Sequence, residues 1–130
     1  MNLGQCHNFS DFRALAKKKL PSPIFNYIDG AADDEVTYRR NSQSFNDVDL
    51  VPNVLAGVEK VDMSTEIMGQ KLSMPFYCAP TALQRLFHHE GERAVAKAAS
   101  SYGTMFGVSS LATVTVEDIA QISSGPKMFQ

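Results

Sequence analysis

Small, hydroxyl and amide side chains stand at the ends of three strand-like segments, and their spacing suggests a ligand site. They are Pro80, Thr81, Ala82, Ser109 and Gln130. Backbone amides beside small side chains can donate to a flat ligand, and a hydroxyl or carboxamide can bond its polar edge. Ligands in α/β folds bind at the carboxyl ends of parallel strands, so the pattern predicts a site there. Each residue alone also fits a tight turn or a loop cap.

Two other groups could carry chemistry. Tyr27 has a ring to bury and a hydroxyl to present, so a core tyrosine and a site tyrosine both fit the sequence. His88 and His89 precede two glutamates, which could suggest a metal, but their spacing matches no common metal-binding motif. Helix-start capping and surface packing explain these residues better, so we expect no metal site.

The segments that carry the strand-end residues alternate between strand and helix patterns. We predict a strand at 74–82, a helix at 90–102, a strand at 104–110, a helix at 115–122 and a strand from 127. The apolar run at 74–82 is typical of a parallel strand buried on both faces. A stripe of small residues predicts the packing face of the helix at 90–102. Its members are Ala94, Val95, Ala98, Ala99 and Tyr102.

The amino-terminal part has three helix patterns followed by a hairpin pattern. The first helix spans 9–20 with Ser10 as a possible cap, and the second is capped by Ser22. The third has acidic residues 33–35 in its first turn and runs to about Phe45. Segment 47–61 is irregular, with one short strand at most, and 65–74 predicts two strands around Gly69.

Composition limits the classes of function. The chain has 130 residues, 44% hydrophobic and 20% charged, which suits a packed domain. A net charge of -2 gives no electrostatic case for nucleic acid. Cys6 and Cys78 lie in different settings and are not expected to pair. With no signal peptide or membrane-length apolar run, we expect a cytoplasmic protein, with peripheral contact at the inner face of the plasma membrane left open.

The order of elements predicts an α/β fold that is part of something larger. Three parallel strands leave an open sheet edge, and a closed eight-stranded barrel needs about 250 residues. We therefore expect the amino-terminal portion of a (β/α)8 TIM barrel, about its first three strands, preceded by short helices and a β-hairpin. The barrel would begin near residue 74, and residues 1–130 would form the amino-terminal part of one domain.

Several sequence motifs, in order, carry a resemblance to a known family. They are Phe-Asn-Tyr-Ile-Asp-Gly-Ala-Ala-Asp-Asp-Glu at 25–35, Leu-Ser-Met-Pro-Phe-Tyr-Cys-Ala-Pro-Thr-Ala at 72–82, His-Glu-Gly-Glu-Arg-Ala-Val-Ala-Lys-Ala-Ala at 89–99, Ser-Ser-Leu-Ala-Thr at 109–113 and Phe-Gln at 129–130. The chain resembles the FMN-dependent α-hydroxy-acid dehydrogenases and oxidases. The Tyr-Ile-Asp-Gly sequence at 27–30 looks most similar to the bacterial L-lactate dehydrogenase branch.

The resemblance implies an FMN barrel and a role for each candidate residue. Pro80, Thr81 and Ala82 would run past the flavin ring. Ser109 and Gln130 would bond its polar edge, and Tyr27 would bond the substrate, an L-2-hydroxy acid. The family's histidine base, its second tyrosine and its substrate-binding arginines match no residue of 1–130, so we expect these residues to be inactive alone.

The reaction implied is oxidation of an L-2-hydroxy acid, L-lactate to pyruvate, with electrons passing through FMN to a quinone, a cytochrome or O2. The full-length parent would be a homo-oligomer. Leu111 stands where many oxidases have tryptophan, which leaves substrate size and oxidant open. Three alternatives remain: an O2-using oxidase similar to glycolate oxidase, a non-catalytic flavin-binding half-barrel, and a partner subunit that completes a barrel.

Overall fold

The computed structural model describes residues 2–130, and the chain divides into two compact units. The first unit extends to Glu59 and the second runs from Lys60 to Gln130. Within the described part of the chain, none of the helices combines the length and the apolar character needed to cross a bilayer. Both cysteines are free thiols, as expected from their different settings.

Three helices form the regular part of the first unit after a short 3₁₀ turn at Leu3–Gln5. They are α1, Phe9–Lys19; α2, Ser22–Asp29; and α3, Val36–Asn46. Two predicted caps were wrong by one or two positions. Asn8 caps α1 through a bond from the Asp11 amide at 3.0 Å, so Ser10 lies inside the helix. Pro21 precedes α2, whose first helical residue is Ser22.

The helices α1 and α2 are joined by a charged pair and an apolar contact. Arg13 donates to both carboxylate oxygens of Asp29 at 2.5 and 2.8 Å. The hydrogen bond and charge of Arg13 lower the pKa of Asp29. Phe25 is buried, and the Lys17 ammonium lies 6.0 Å from its ring centroid. This geometry holds α2, which contains Tyr27, against α1.

The start of α3 differs from the prediction. Asp33 and Glu35 both have a left-handed backbone, with φ of 49° and 55°, so the chain turns at these residues and the helix begins only at Val36. The first turn of α3 therefore contains no acidic residue. The irregular character of 47–61 is confirmed, and no strand forms in that segment.

The second unit begins with the predicted hairpin. Strands β1, Thr65–Ile67, and β2, Gln70–Leu72, pair antiparallel, with Ile67 opposite Gln70. Gly69 occupies the turn with φ of 74°, a conformation that glycine adopts without strain. Leu72 is fully buried, and the Ser73 amide donates to Gly103 at 2.8 Å, which ties the hairpin to the rest of this unit.

A small parallel sheet is the centre of the second unit. Strand β3, Phe106–Val108, pairs in parallel with β4, Lys127–Phe129. The predicted strand at 74–82 is reduced to one parallel bridge, between Cys78 and Phe106. It is not buried on both faces as predicted, because Phe76 is 63% exposed and Tyr77 is 40% exposed. Only β3 pairs with this segment among residues 2–130, so its other edge is open.

Two helices cover the sheet and complete an α/β arrangement. They are α4, Glu92–Ser101, and α5, Val116–Ile122, and a 3₁₀ turn at Gln84–Leu86 precedes them. The core contains Ala96, Ala99, Phe106, Val108, Val114 and Ile119. Of the predicted stripe on α4, Val95 and Ala99 face this core, whereas Ala94, Ala98 and Tyr102 are exposed. The Thr115 hydroxyl caps α5 by accepting from the Asp118 amide at 3.2 Å, as predicted.

Candidate functional site

The strand pairing brings three of the predicted site positions to one edge of the sheet. Cys78 pairs with Phe106, and Phe106 pairs with Lys127. Counting three residues along each segment reaches Thr81, Ser109 and Gln130. The Gln130 amide donates to the Val108 carbonyl at 2.9 Å, which continues the pairing to that level. The common edge predicted from the sequence is therefore present in the second unit.

Pro80 lies directly against β3. A Cβ on Gly107 would stand 2.6 Å from Pro80 Cδ and 2.9 Å from its backbone nitrogen, closer than side chains approach. The Gly107 amide donates to the Cys78 carbonyl at 2.8 Å. Only glycine at this position allows the 78–80 backbone to lie so close to β3.

The segment after Pro80 presents unused backbone donors. The amides of Thr81 and Ala82 donate to no acceptor within residues 2–130. The Thr81 carbonyl, in contrast, accepts from the Gln84 side chain at 3.3 Å. Free amides at a strand end can donate to a ligand, which is the role that the sequence predicted for this segment.

Ser109 begins the loop after β3 and is 5% exposed. Its Oγ accepts from the Leu111 amide at 3.1 Å, so the loop-cap alternative is present. That bond uses the oxygen as an acceptor, and the hydroxyl proton is still available to a ligand. The cap and the predicted ligand contact are therefore compatible.

Gln130 and Tyr27 complete the predicted set. The Gln130 side-chain amide has no hydrogen-bond partner within the described chain. Tyr27 belongs to the first unit, on α2, and is 56% exposed. Its contact with substrate stays a prediction.

The two histidines lie just before α4, and their contacts are local; neither side chain caps the helix itself. His88 Nδ1 accepts from the Glu90 amide at 3.3 Å, and the two imidazole rings lie 4.4 Å apart. His89 is exposed, and its Nε2 lies 3.6 Å from Oε1 of Glu90. Residues 2–130 contain no group of three metal-ligating side chains.

Glu92 is a polar residue near this edge that the sequence analysis treated only as a helix-start acid. It is fully buried, and its two carboxylate oxygens accept from Thr113, one from the amide at 2.8 Å and one from the hydroxyl at 2.7 Å. Burial on its own raises the pKa of Glu92, but hydrogen bonds from Thr113, Gln84 and its own backbone outweigh that effect and lower it. A Glu-x-x-x-Ala-x-x-Ala pattern at a helix start, here residues 92, 96 and 99, could have signalled a buried carboxylate, but exposed glutamates give the same pattern.

Comparison with known proteins shows the family. The family model for FMN-dependent dehydrogenases matches residues 16–130. Glycolate oxidase 1 of Oryza sativa subsp. indica is 41% identical over 98% of this chain, and the match covers 35% of that protein. The chain thus spans about a third of the length of the curated relatives it matches.

Solved structures agree in fold. A putative lactate oxidase from Pediococcus acidilactici superposes with a TM-score of 0.88 at 31% identity, over 97% of this chain and 35% of that one. A mandelate oxidase superposes with a TM-score of 0.85 at 34% identity, over 93% of this chain and 36% of that one. The family match, the identities and the shared fold agree, and the chain belongs to the FMN-dependent dehydrogenase family.

Proposed function

We propose that this chain forms part of the FMN site of an enzyme that oxidises an L-2-hydroxy acid to the 2-keto acid. The observation that carries the proposal is the meeting of Thr81, Ser109 and Gln130 at one edge of the parallel sheet. Family membership supplies the cofactor. We further propose that the parallel strands belong to a (β/α)8 barrel that begins near residue 74.

The residues at this edge fit an isoalloxazine ring. The ring has a polar edge that needs hydrogen-bond donors and a flat face that needs close approach by backbone. The unused amides of Thr81 and Ala82, the Ser109 hydroxyl proton and the unpartnered Gln130 amide meet the first need. The small side chain of Ala82 and the backbone turn after Pro80 meet the second.

Each residue then has a separate task. Pro80, Thr81 and Ala82 would position the ring by backbone contact, and Ser109 and Gln130 would orient its polar edge. Tyr27 would donate to the substrate. Bound FMN supplies the redox chemistry by accepting the two electrons of the hydroxy acid. The electron acceptor, whether quinone, cytochrome or O2, is part of the same proposal.

We propose L-lactate as the substrate, oxidised to pyruvate. The likeness to the lactate oxidase structure supports a small hydroxy acid. A second candidate is oxidation of glycolate with O2, which the 41% identity with glycolate oxidase 1 of Oryza sativa subsp. indica favours.

The test is to determine the coding sequence on both sides of this chain and to purify the encoded protein with FMN. Anaerobic mixing with L-lactate, glycolate or (S)-mandelate should bleach the flavin absorbance in a saturable way, fastest with L-lactate. Faster reduction by glycolate with rapid O2 uptake would select the second candidate. Failure to bind FMN, or absence of reduction by all three acids, would contradict the proposed function.

Residues 1–130 alone should not catalyse this reaction, because the family's histidine base matches none of their positions. Stopped-flow mixing of the purified 130-residue chain, FMN and L-lactate should give no saturable flavin reduction. Saturable reduction would show that these residues contain a base that we have not identified.

A further inference from the structure

Two loops at the proposed flavin edge are connected through one buried carboxylate. The first loop follows Pro80 and runs to Leu86, and the second runs from Ser109 to Val114. Glu92, the first residue of α4, is fully buried and accepts two hydrogen bonds from Thr113 in the second loop. It forms no ion pair with any basic side chain within residues 2–130. Hydrogen bonds alone therefore satisfy a buried charge.

The first loop is connected through the Thr113 hydroxyl. The Arg85 amide donates to Thr113 Oγ1 at 3.2 Å. A hydroxyl has one proton, and Thr113 gives it to Glu92 Oε2, so the oxygen is free to accept from Arg85. The bonds therefore run in one direction, from the Arg85 amide through the hydroxyl to the carboxylate.

Further bonds extend this connection to the flavin-edge residues. The Leu83 amide donates to the Leu111 carbonyl at 3.1 Å, so the loops also meet directly. The Gln84 side chain, 8% exposed, donates to the Thr81 carbonyl. Gln84 thus connects the Thr81 backbone to the 3₁₀ turn at Gln84–Leu86, which contains Arg85.

We propose that Glu92 is a positioning residue for FMN, and that it holds the Thr81–Ala82 amides and the Ser109 hydroxyl in register through Thr113. This inference rests on the proposed function of that edge. Glu92 does not touch the flavin; it acts through the two loops. An ionised carboxylate suits the task because both its oxygens accept, which a carboxamide cannot reproduce.

The test compares four variants of the encoded protein, each measured well below its melting temperature. Glu92→Gln leaves one acceptor oxygen and presents an NH2 group to the Thr113 hydroxyl, whose proton then has no acceptor. Thr113→Val removes the hydroxyl, and Thr113→Ser keeps it. Glu90→Gln is the matched control, since Glu90 lies two residues away and accepts none of these bonds.

Four quantities are measured: the FMN dissociation constant, the absorption spectrum of bound FMN, its midpoint potential, and hydrogen exchange of the Leu83 and Arg85 amides without FMN. Glu92→Gln and Thr113→Val should raise the dissociation constant about tenfold, shift the spectrum or potential, and speed exchange. Thr113→Ser and Glu90→Gln should match the parent protein.

A purely structural role predicts a different result. If Glu92→Gln lowers the melting temperature while FMN affinity, spectrum and potential stay unchanged, the positioning role is wrong. Failure of the parent protein to bind FMN would contradict the proposed function instead. The exchange data separate the two failures, because they report on the loops without FMN: unchanged exchange at Leu83 and Arg85 in both Glu92→Gln and Thr113→Val also overturns the inference.

Discussion

Replacing Gly107 by alanine should push the Pro80 segment away from β3. The added Cβ would stand 2.6 Å from Pro80 Cδ, roughly 1 Å short of ordinary carbon–carbon contact at about 3.5–4.0 Å. Neither the proline ring nor its backbone nitrogen, at 2.9 Å, can turn aside as a flexible side chain would. The segment must therefore move.

The movement has a calculable effect on one hydrogen bond. The Gly107 amide now lies 2.8 Å from the Cys78 carbonyl. A shift of roughly 1 Å carried along the segment would lengthen this distance to about 3.8 Å, beyond hydrogen-bond range. Overpacking of this kind costs about 1–3 kcal/mol of unfolding free energy. We expect Gly107→Ala to fall in the upper part of that range.

The assay is urea unfolding followed by circular dichroism, together with native-state hydrogen exchange. Gly4→Ala is the control, since its Cβ would meet only Asn2 Oδ1 at 3.5 Å, and it should change stability by less than about 0.5 kcal/mol. In Gly107→Ala the amide of residue 107, whose bond to the Cys78 carbonyl is lengthened, should exchange much faster than in the parent. The Cys78 amide, which donates to the Met105 carbonyl at 3.0 Å in the displaced segment, should also exchange much faster, and the Gln130 amide should change less. Equal stability of the two variants, or an unchanged Cys78 amide, would refute the steric explanation.

Three further predictions use other parts of the chain. Thr115→Ala should cost about 1 kcal/mol in urea unfolding because α5 loses its cap, and a variant as stable as the parent would contradict that role. The lowered pKa of Glu92 means that the folded chain binds fewer protons than the unfolded chain. The ionised Glu92 therefore stabilises the fold fully above the ordinary glutamate pKa of 4.5, and this stabilisation is lost as the pH falls below it. Measured between about pH 3 and pH 7, the free energy of unfolding should fall less with acid in Glu92→Gln than in the parent. If Tyr27 bonds substrate, Tyr27→Phe in the encoded protein should raise KM or lower kcat while FMN stays bound, and unchanged kinetics would remove Tyr27 from the site.

Local patterns predicted most of the helices and the hairpin. Three of these features depend only on interactions within a few residues and could therefore be predicted from the sequence: the apolar spacing of α1, the helix break at Pro21 and the cap at Thr115. The caps of α1 and α2 were misplaced because several neighbouring residues can cap a helix, and only the backbone dihedrals select one. The predicted start of α3 was wrong for a related reason. Asp33 and Glu35 adopt a left-handed backbone, but neither is glycine, the residue type that usually signals such a turn.

Burial was harder to predict than periodicity. An apolar run at 74–82 suggested a strand covered on both faces, but pairing on one side alone leaves Phe76 and Tyr77 exposed. The stripe on α4 was misassigned because the spacing is the same for two adjacent helix faces. Packing against Phe106 and Ile119 selects the face with Ala96 and Ala99.

The sequence by itself determined the alternation of strand and helix, the family motifs and the small polar residues at three strand ends. Those features depend on residue type and short spacing. Tertiary structure decided which groups are free and which are used: the unused Thr81 and Ala82 amides, the close contact of Pro80 with Gly107, and the buried carboxylate of Glu92 on Thr113. The last two are contacts between residues far apart in the sequence, as is the Arg85–Thr113 bond, and their partners lie 21 to 28 positions from each other. Only the paired strands bring such residues within contact distance.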